Sequence, residues 1–462
     1  DIPRRCPTHV RTAPVHPRAP DPEEKPMMNE RANRRACGRL RRILVAATSV
    51  TVLSIACTVF TVGGAARAAE PAPTSQSAQQ KQIADIVQTV MDQQHLRAVI
   101  VEVTQNGKVI ARRAFGPSLT GEPATPDMHF RNGAVAFEYL TTLLMQFVDE
   151  HKVTLDDTIQ KWEPSLPEAD KVTLKMLANQ TTGYPDFETD NAWTAAFYAD
   201  PTKSQSFQSR LDYAFSRPLQ FAPGTNWSYA HTNFMILGDI LAKIGKEPLD
   251  VLLRDKVIRP MGLTSTVFSA TGSVPSPALH SYSSERRVAL GIPSGAPFYE
   301  ESTYWNSDWG VPVGANETTT VDDLIRTAVA VGTGKLVSKS SYTAMTSPYL
   351  LGFGMKEAAC EPSCFTLIPA YNFGLGIVRQ GSWLTQDPEV GGYSATEAYL
   401  PSKKIAIAAV TTYAPGAFDD QGNYNNESDT VFHALAAYIA PSDAVPPPTS
   451  TGSDLQRHRA PK

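Results

Sequence analysis

Phe130-Arg131-Asn132-Gly133-Ala134-Val135-Ala136-Phe137-Glu138-Tyr139-Leu140 opens the stretch that decides the fold. From Ala134 to Glu150 the spacing predicts a long helix: Leu140, Leu143, Leu144, Phe147 and Val148 fall on one stripe. Upstream, Gln79 to Gln94 has the same period, through Ile83, Ile86, Val87, Val90 and Met91. Between these helices, Ala98 to Val103 and Val109 to Phe115 read as strands joined at Asn106-Gly107, a hairpin signal. Downstream lies a helical, loop-rich middle. It includes a helix from Thr232 to Ile244 and another opened by Thr320, with Asp323 placed to close a capping box. Beyond residue 370, Asn372 to Arg379, Ala395 to Leu400 and Ile405 to Thr412 read as strands, and Asp429 to Ile439 as a last helix. Strands at both ends and helices between them predict an α/β (α+β) domain. One mostly antiparallel sheet draws on both chain ends, helices flank it, and the helical middle forms a second lobe.

The chain has 462 residues, 42% hydrophobic and 19% charged, as expected of ordinary globular protein. Its net charge of −4 hides an asymmetry: the first 68 residues carry 12 basic and 5 acidic side chains, the rest 30 and 41. An acidic body lacks the basic footprint that nucleic-acid binding needs.

Residues 1–26 are proline-rich and precede the first methionine, Met27; they read as upstream sequence outside the native protein. From Met27 a secretory layout follows. Arginines from Arg31 to Arg42 precede a charge-free apolar run, Ile43 to Val62, and Ala66-Arg67-Ala68 offers a cleavage site. This predicts a signal peptide over 27–68 and a secreted or envelope protein. The alternative is a membrane anchor at residues 43–62. The expected domain spans 69–441, and 442–462 read as a disordered, Pro-rich tail.

Beyond the leader only Cys360 and Cys364 remain, and in an oxidising compartment they read as a local disulfide. The histidines show no HxxxH or HExxH spacing, so neither a metal nor another cofactor is expected.

Several stretches besides the first carry a resemblance. They are Val153-Thr154-Leu155-Asp156-Asp157, Lys175 to Pro185 (KMLANQTTGYP), Pro223 to Asn233 (PGTNWSYAHTN), Arg259 to Leu263 and Phe373 to Gly376. In this order they resemble the serine β-lactamase and penicillin-binding-protein superfamily. The branch they look most like holds class C β-lactamases, D-alanyl-D-alanine carboxypeptidases and related esterases. The resemblance implies three catalytic elements. The first is Ser-x-x-Lys at a helix start, whose spacing puts nucleophile and proton acceptor on one face. The matching positions are Ala134 and Phe137, which have neither function, and no Ser or Lys occurs between His129 and Glu150. The second is Tyr-x-Asn, here Tyr229-Ala230-His231. The resemblance makes Tyr229 the general base, with His231 where Asn would orient substrate. The third is Lys-Thr-Gly or His-x-Gly on the adjacent strand. Two alignments place Gln386-Asp387-Pro388 or Glu389-Val390-Gly391 there, and neither supplies a cation.

Other residues substitute poorly for the lost groups. Ser394 precedes a strand and lacks the setting of a nucleophile elbow, Ser228 merely adjoins Tyr229, and Glu138 is expected to be solvated or paired. Within the aromatic run Phe298, Tyr299, Tyr304, Trp305 and Trp309, the last three are candidates for a binding wall. Three readings follow. The first is a non-catalytic binding or regulatory relative of serine hydrolases, with a peptide or cell-wall-derived ligand. The second is a hydrolase rearranged around Tyr229 and His231. The third is a structural surface-interaction protein, favoured by a filled apolar cleft. Membrane contact is expected only through an uncleaved leader.

Overall fold

The computed structural model describes residues 77–306 and 309–445, and the backbone of 457–458. The upstream segment, the leader with its cleavage site and most of the tail lie outside the described residues. Among those described, no helix is long and apolar enough to cross a membrane.

Helix α1, Ala78–Gln93, is opened by a Ser77–Gln80 capping box, and the hairpin β1 (Leu96–Gln105) and β2 (Lys108–Phe115) follows. The helix α2 is Val135–Asp149, α3 is His231–Gly245 and α4 is Val321–Gly332. The C-terminal part supplies β3 (Asn372–Phe373), β4 (Val378–Gln380), β5 (Trp383–Gln386), β6 (Glu389–Val390), β7 (Tyr393–Leu400) and β8 (Ile405–Tyr413). Helix α5, Glu427–Ile439, closes the order. The sheet runs β3-β4-β5-β7-β8-β1-β2, with β6 paired to β7, so strands from both ends meet where β8 pairs β1. Its pairings are all antiparallel.

Alternation along β1 sorts the two cores. Val99, Val101 and Val103 face the layer of α1 and α5, whereas Ala98 and Ile100 face the helical lobe. In that lobe α2 departs from the single buried stripe: every residue from Val135 to Met145 is buried, Glu138 included. A helix buried on all sides is a central pillar rather than a surface helix.

Two further expectations need correction. The strand expected over Asn372–Arg379 is broken between β3 and β4. There Gly376, at φ +66°, lies so close to α2 that a Cβ would come within 2.7 Å of the Phe137 carbonyl. Asp323 does not close a capping box. Thr320 caps α4, while the Asp323 carboxylate accepts from Ser265 N (2.7 Å) and Thr266 Oγ1 (2.9 Å). Residues beyond 441 also make contacts with the sheet and its connections. Trp383 Nε1 donates to the Asp443 carbonyl, Lys403 pairs with Asp443, and 457–458 pair with Tyr424–Asn425.

Candidate functional site

The approach to α2 is fixed before the helix begins. Phe130–Arg131 pairs with Glu317–Thr319, and the buried Arg131 guanidinium donates to the carbonyls of Thr303 (3.1 Å) and Trp305 (2.9 Å). Gly133 turns the chain at φ +56°, and Ala134 occupies the N-cap, half-exposed and with no side chain to cap the helix. One turn on, Phe137 is fully buried and stacks on Phe234 of α3, with centroids 3.9 Å apart and planes at 5°. The space beside Ala134 is therefore filled by an aromatic pair.

Tyr229 and His231 border the same place. Phe137 lies 6.2 Å from the Tyr229 ring and 6.1 Å from His231, and the latter two meet edge-on at 5.1 Å. His231 Nδ1 sits 2.9 Å from Asp186 Oδ2 and 3.3 Å from Glu188 Oε2. Burial opposes charge on the ring, but Glu188 and Asp186 outweigh it and lift the pKa to about 9. His231 is thus an imidazolium at neutral pH, and among the described residues no hydrogen bond reaches its Nε2. Burial, with the phenol of Tyr371 and the carboxyls of Glu188, Asp186 and Asp387 nearby, holds the Tyr229 phenol well above its usual range. A phenol so placed keeps its proton and makes a poor base.

Each alignment of the third element contributes one side chain that faces the start of α2. A Cβ on Gly133 would come within 2.6 Å of Pro388 Cβ and 2.9 Å of Val390 Cγ2, so Pro388 and Val390 are the side chains facing the start of α2. Gln386 is buried, and its Nε2 is bound to the Gly376 carbonyl at 2.6 Å. Glu389 alternates to the opposite face, where burial and the carboxylates of Glu285, Glu427 and Asp387 keep it strongly proton-retaining. Asp387, raised to about 7 by burial and by Asp429, stays at the strand edge, and Gly391 turns the chain at φ +46° beside Trp305.

The remaining candidates scatter. Ser394 is buried in a hydroxyl network, 2.6 Å from Thr411 Oγ1 and accepting from Tyr413 OH at 2.6 Å. Ser228 is buried too. Trp305 and Trp309 are buried in an aromatic cluster with Trp193 and Phe197, so they support the wall rather than line it; Tyr304 alone is exposed. Of the two settings expected for Glu138, solvated or paired, the structure excludes the first: it is buried beside Glu397 of β7, and burial raises its pKa to about 7. Cys360 and Cys364 are joined. Among the described residues, no cluster of three or more His, Cys, Asp or Glu could hold a metal ion. Sequence reasoning missed Asp186 and Glu188. They follow Tyr184-Pro185 at the cap and within the single 3-10 turn Phe187–Thr189, too short for any period to mark a side chain's direction.

A family model described as Beta-lactamase matches residues 83–431, three quarters of the chain. The chain belongs to the Beta-lactamase family. It is 23% identical over 280 residues to a Bacillus subtilis protein carrying the name penicillin-binding protein PbpX, covering 58% of this chain and 64% of that one. It is 29% identical over 171 residues to a D-aminopeptidase of Brucella anthropi, covering 35% and 31%. The chain thus spans 31% to 64% of these relatives' lengths. Among solved structures, a D-stereospecific amidohydrolase from a Streptomyces species superposes with a TM-score of 0.63 at 19% identity, over 78% of this chain and 99% of that one. Likeness at that identity establishes the fold of this Beta-lactamase family member, and its chemistry has to be read from its own residues.

Proposed function

We propose that this protein is an exported, non-catalytic binding member of the Beta-lactamase family, its ligand a peptide or amide built on D-amino acids. The observation that carries the reading is the Phe137–Phe234 stack one helical turn from Ala134. It leaves the site with no nucleophile at the helix start and no amine to take a proton. The side chains of Pro388 and Val390 that face the start of α2 are apolar, which supports a site without the family's third-element cation. The ligand class is suggested by the names of the relatives: a D-aminopeptidase and a D-stereospecific amidohydrolase. Export rests on the basic-then-apolar leader and its Ala66-Arg67-Ala68 site.

A second reading has one observation in its favour. His231, oriented by Asp186 and Glu188, resembles the oriented histidine of a hydrolase. Its charge counts against it, because an imidazole with a pKa of about 9 is already protonated at neutral pH. The structural reading is disfavoured because Ala134, Tyr229, His231 and Val390 all keep partial exposure. The test is to add D-alanyl-D-alanine peptides and D-amino acid amides, following the His231 ring by NMR and products by chromatography. Ring shifts without product are expected. Product formation that disappears in His231→Ala would establish the rearranged hydrolase instead.

A further inference from the structure

The geometry points to a redox-gated clamp on the segment that carries Tyr229, formed by the loop that the Cys360–Cys364 bridge closes. This segment is held from two sides. On one side Gln180 accepts from Ser228 N through its carbonyl and from Ala230 N through Oε1, both at 3.1 Å. On the other side lies the bridged loop. The Ser363 carbonyl, inside the bridged turn, accepts from Tyr229 N at 3.4 Å. Asn226 Nδ2 donates to Glu357 Oε1 (2.8 Å) and to the Met355 carbonyl (3.1 Å), and Met355 N donates back to Asn226 Oδ1 (2.9 Å). The fully buried Trp227 packs on Phe365, directly after the turn, at 5.2 Å. Both cysteines are buried against Phe221, and Glu357 N donates to Cys364 Sγ, so the bridge lies at the centre of these contacts.

A covalent link removes alternative conformations from the turn it closes. Without the link, the turn carrying Ser363 and the stretch bonded to Asn226 gain freedom together, and Tyr229 keeps only its Gln180 side. The reductant is an external dithiol. It supplies two electrons and two protons, the S–S bond breaks to two thiols, and the dithiol leaves as its own disulfide. Because both sulfurs are buried, reduction waits on transient opening of the loop.

This inference goes beyond the binding reading, and it is tested on the ligand-free chain, so its failure leaves that reading standing. Amide hydrogen exchange is compared among the oxidised protein, the dithiothreitol-reduced protein and the double variant Cys360→Ala/Cys364→Ala. The expected result is exchange at Tyr229 and Met355 at least about tenfold faster in the reduced protein, while Ser228 and Ala230 keep their protection. The reduced wild type decides the matter if the variant fails to fold. Unchanged exchange at Tyr229 and Met355 would overturn the clamp, and so would equal acceleration at all four amides, which would mean general loosening.

Discussion

Phe137 and Ala134 differ from a working pair by two side chains, yet restoring them is expected to fail. Ala134→Ser with Phe137→Lys exchanges a stacked, buried ring for an ammonium among Phe234, Tyr229 and His231. Loss of a buried phenylalanine alone costs about 3–5 kcal/mol, and an unpaired buried ammonium adds to that. The melting temperature should fall, and turnover of a chromogenic cephalosporin should stay far below an ordinary enzyme's rate of about 10 per second. A second prediction concerns His231. Its pKa is raised, so its pairing with Asp186 and Glu188 contributes fully below the unfolded value of about 6.5. That contribution is lost as pH rises through about 9. Asp186→Asn should therefore move the NMR titration midpoint of the His231 ring downward. An unmoved midpoint would mean that Asp186 does not set the charge.

Glu138 of α2 and Glu397 of β7 are buried neighbours, so a charge on either opposes a charge on the other. Burial, then for Glu397 the neighbouring Glu138 charge, pushes both above the ordinary carboxylate range. Raised acids stabilise the fold in full below their unfolded pKa and lose that contribution as pH climbs through the folded one. Denaturation curves should thus show the protein losing stability between about pH 5 and about pH 8, and Glu397→Gln losing less, by on the order of 1–3 kcal/mol. Equal losses in both proteins would remove the pair from the account. The sequence left Glu138 either solvated or paired, and only the tertiary packing, which buries the far side of its helix, decides between them. The third element stayed open between two alignments because both fit the glycines, and only the pleat shows that Pro388 and Val390 share the face turned to α2, with Glu389 between them on the other.

Over the whole molecule, the elements built on long periods were legible: α1, the β1–β2 hairpin, α2, α3 and the two long strands β7 and β8. Periodicity reports burial averaged over several turns, so long elements survive a one-residue error and two-residue strands such as β3 and β6 do not. The partners of His231 and the fate of Trp305 and Trp309 depended on loops and a single 3-10 turn, too short for side chains to show a period. The central claim is that a Beta-lactamase family fold surrounds a site emptied of covalent chemistry. The measurement closest to that claim is the intact mass of the folded chain after exposure to a penicillin and, separately, to a fluorophosphonate. The account predicts the unmodified mass in both cases. A stable adduct mapping to the cleft bordered by Ala134, Tyr229 and His231 would contradict it.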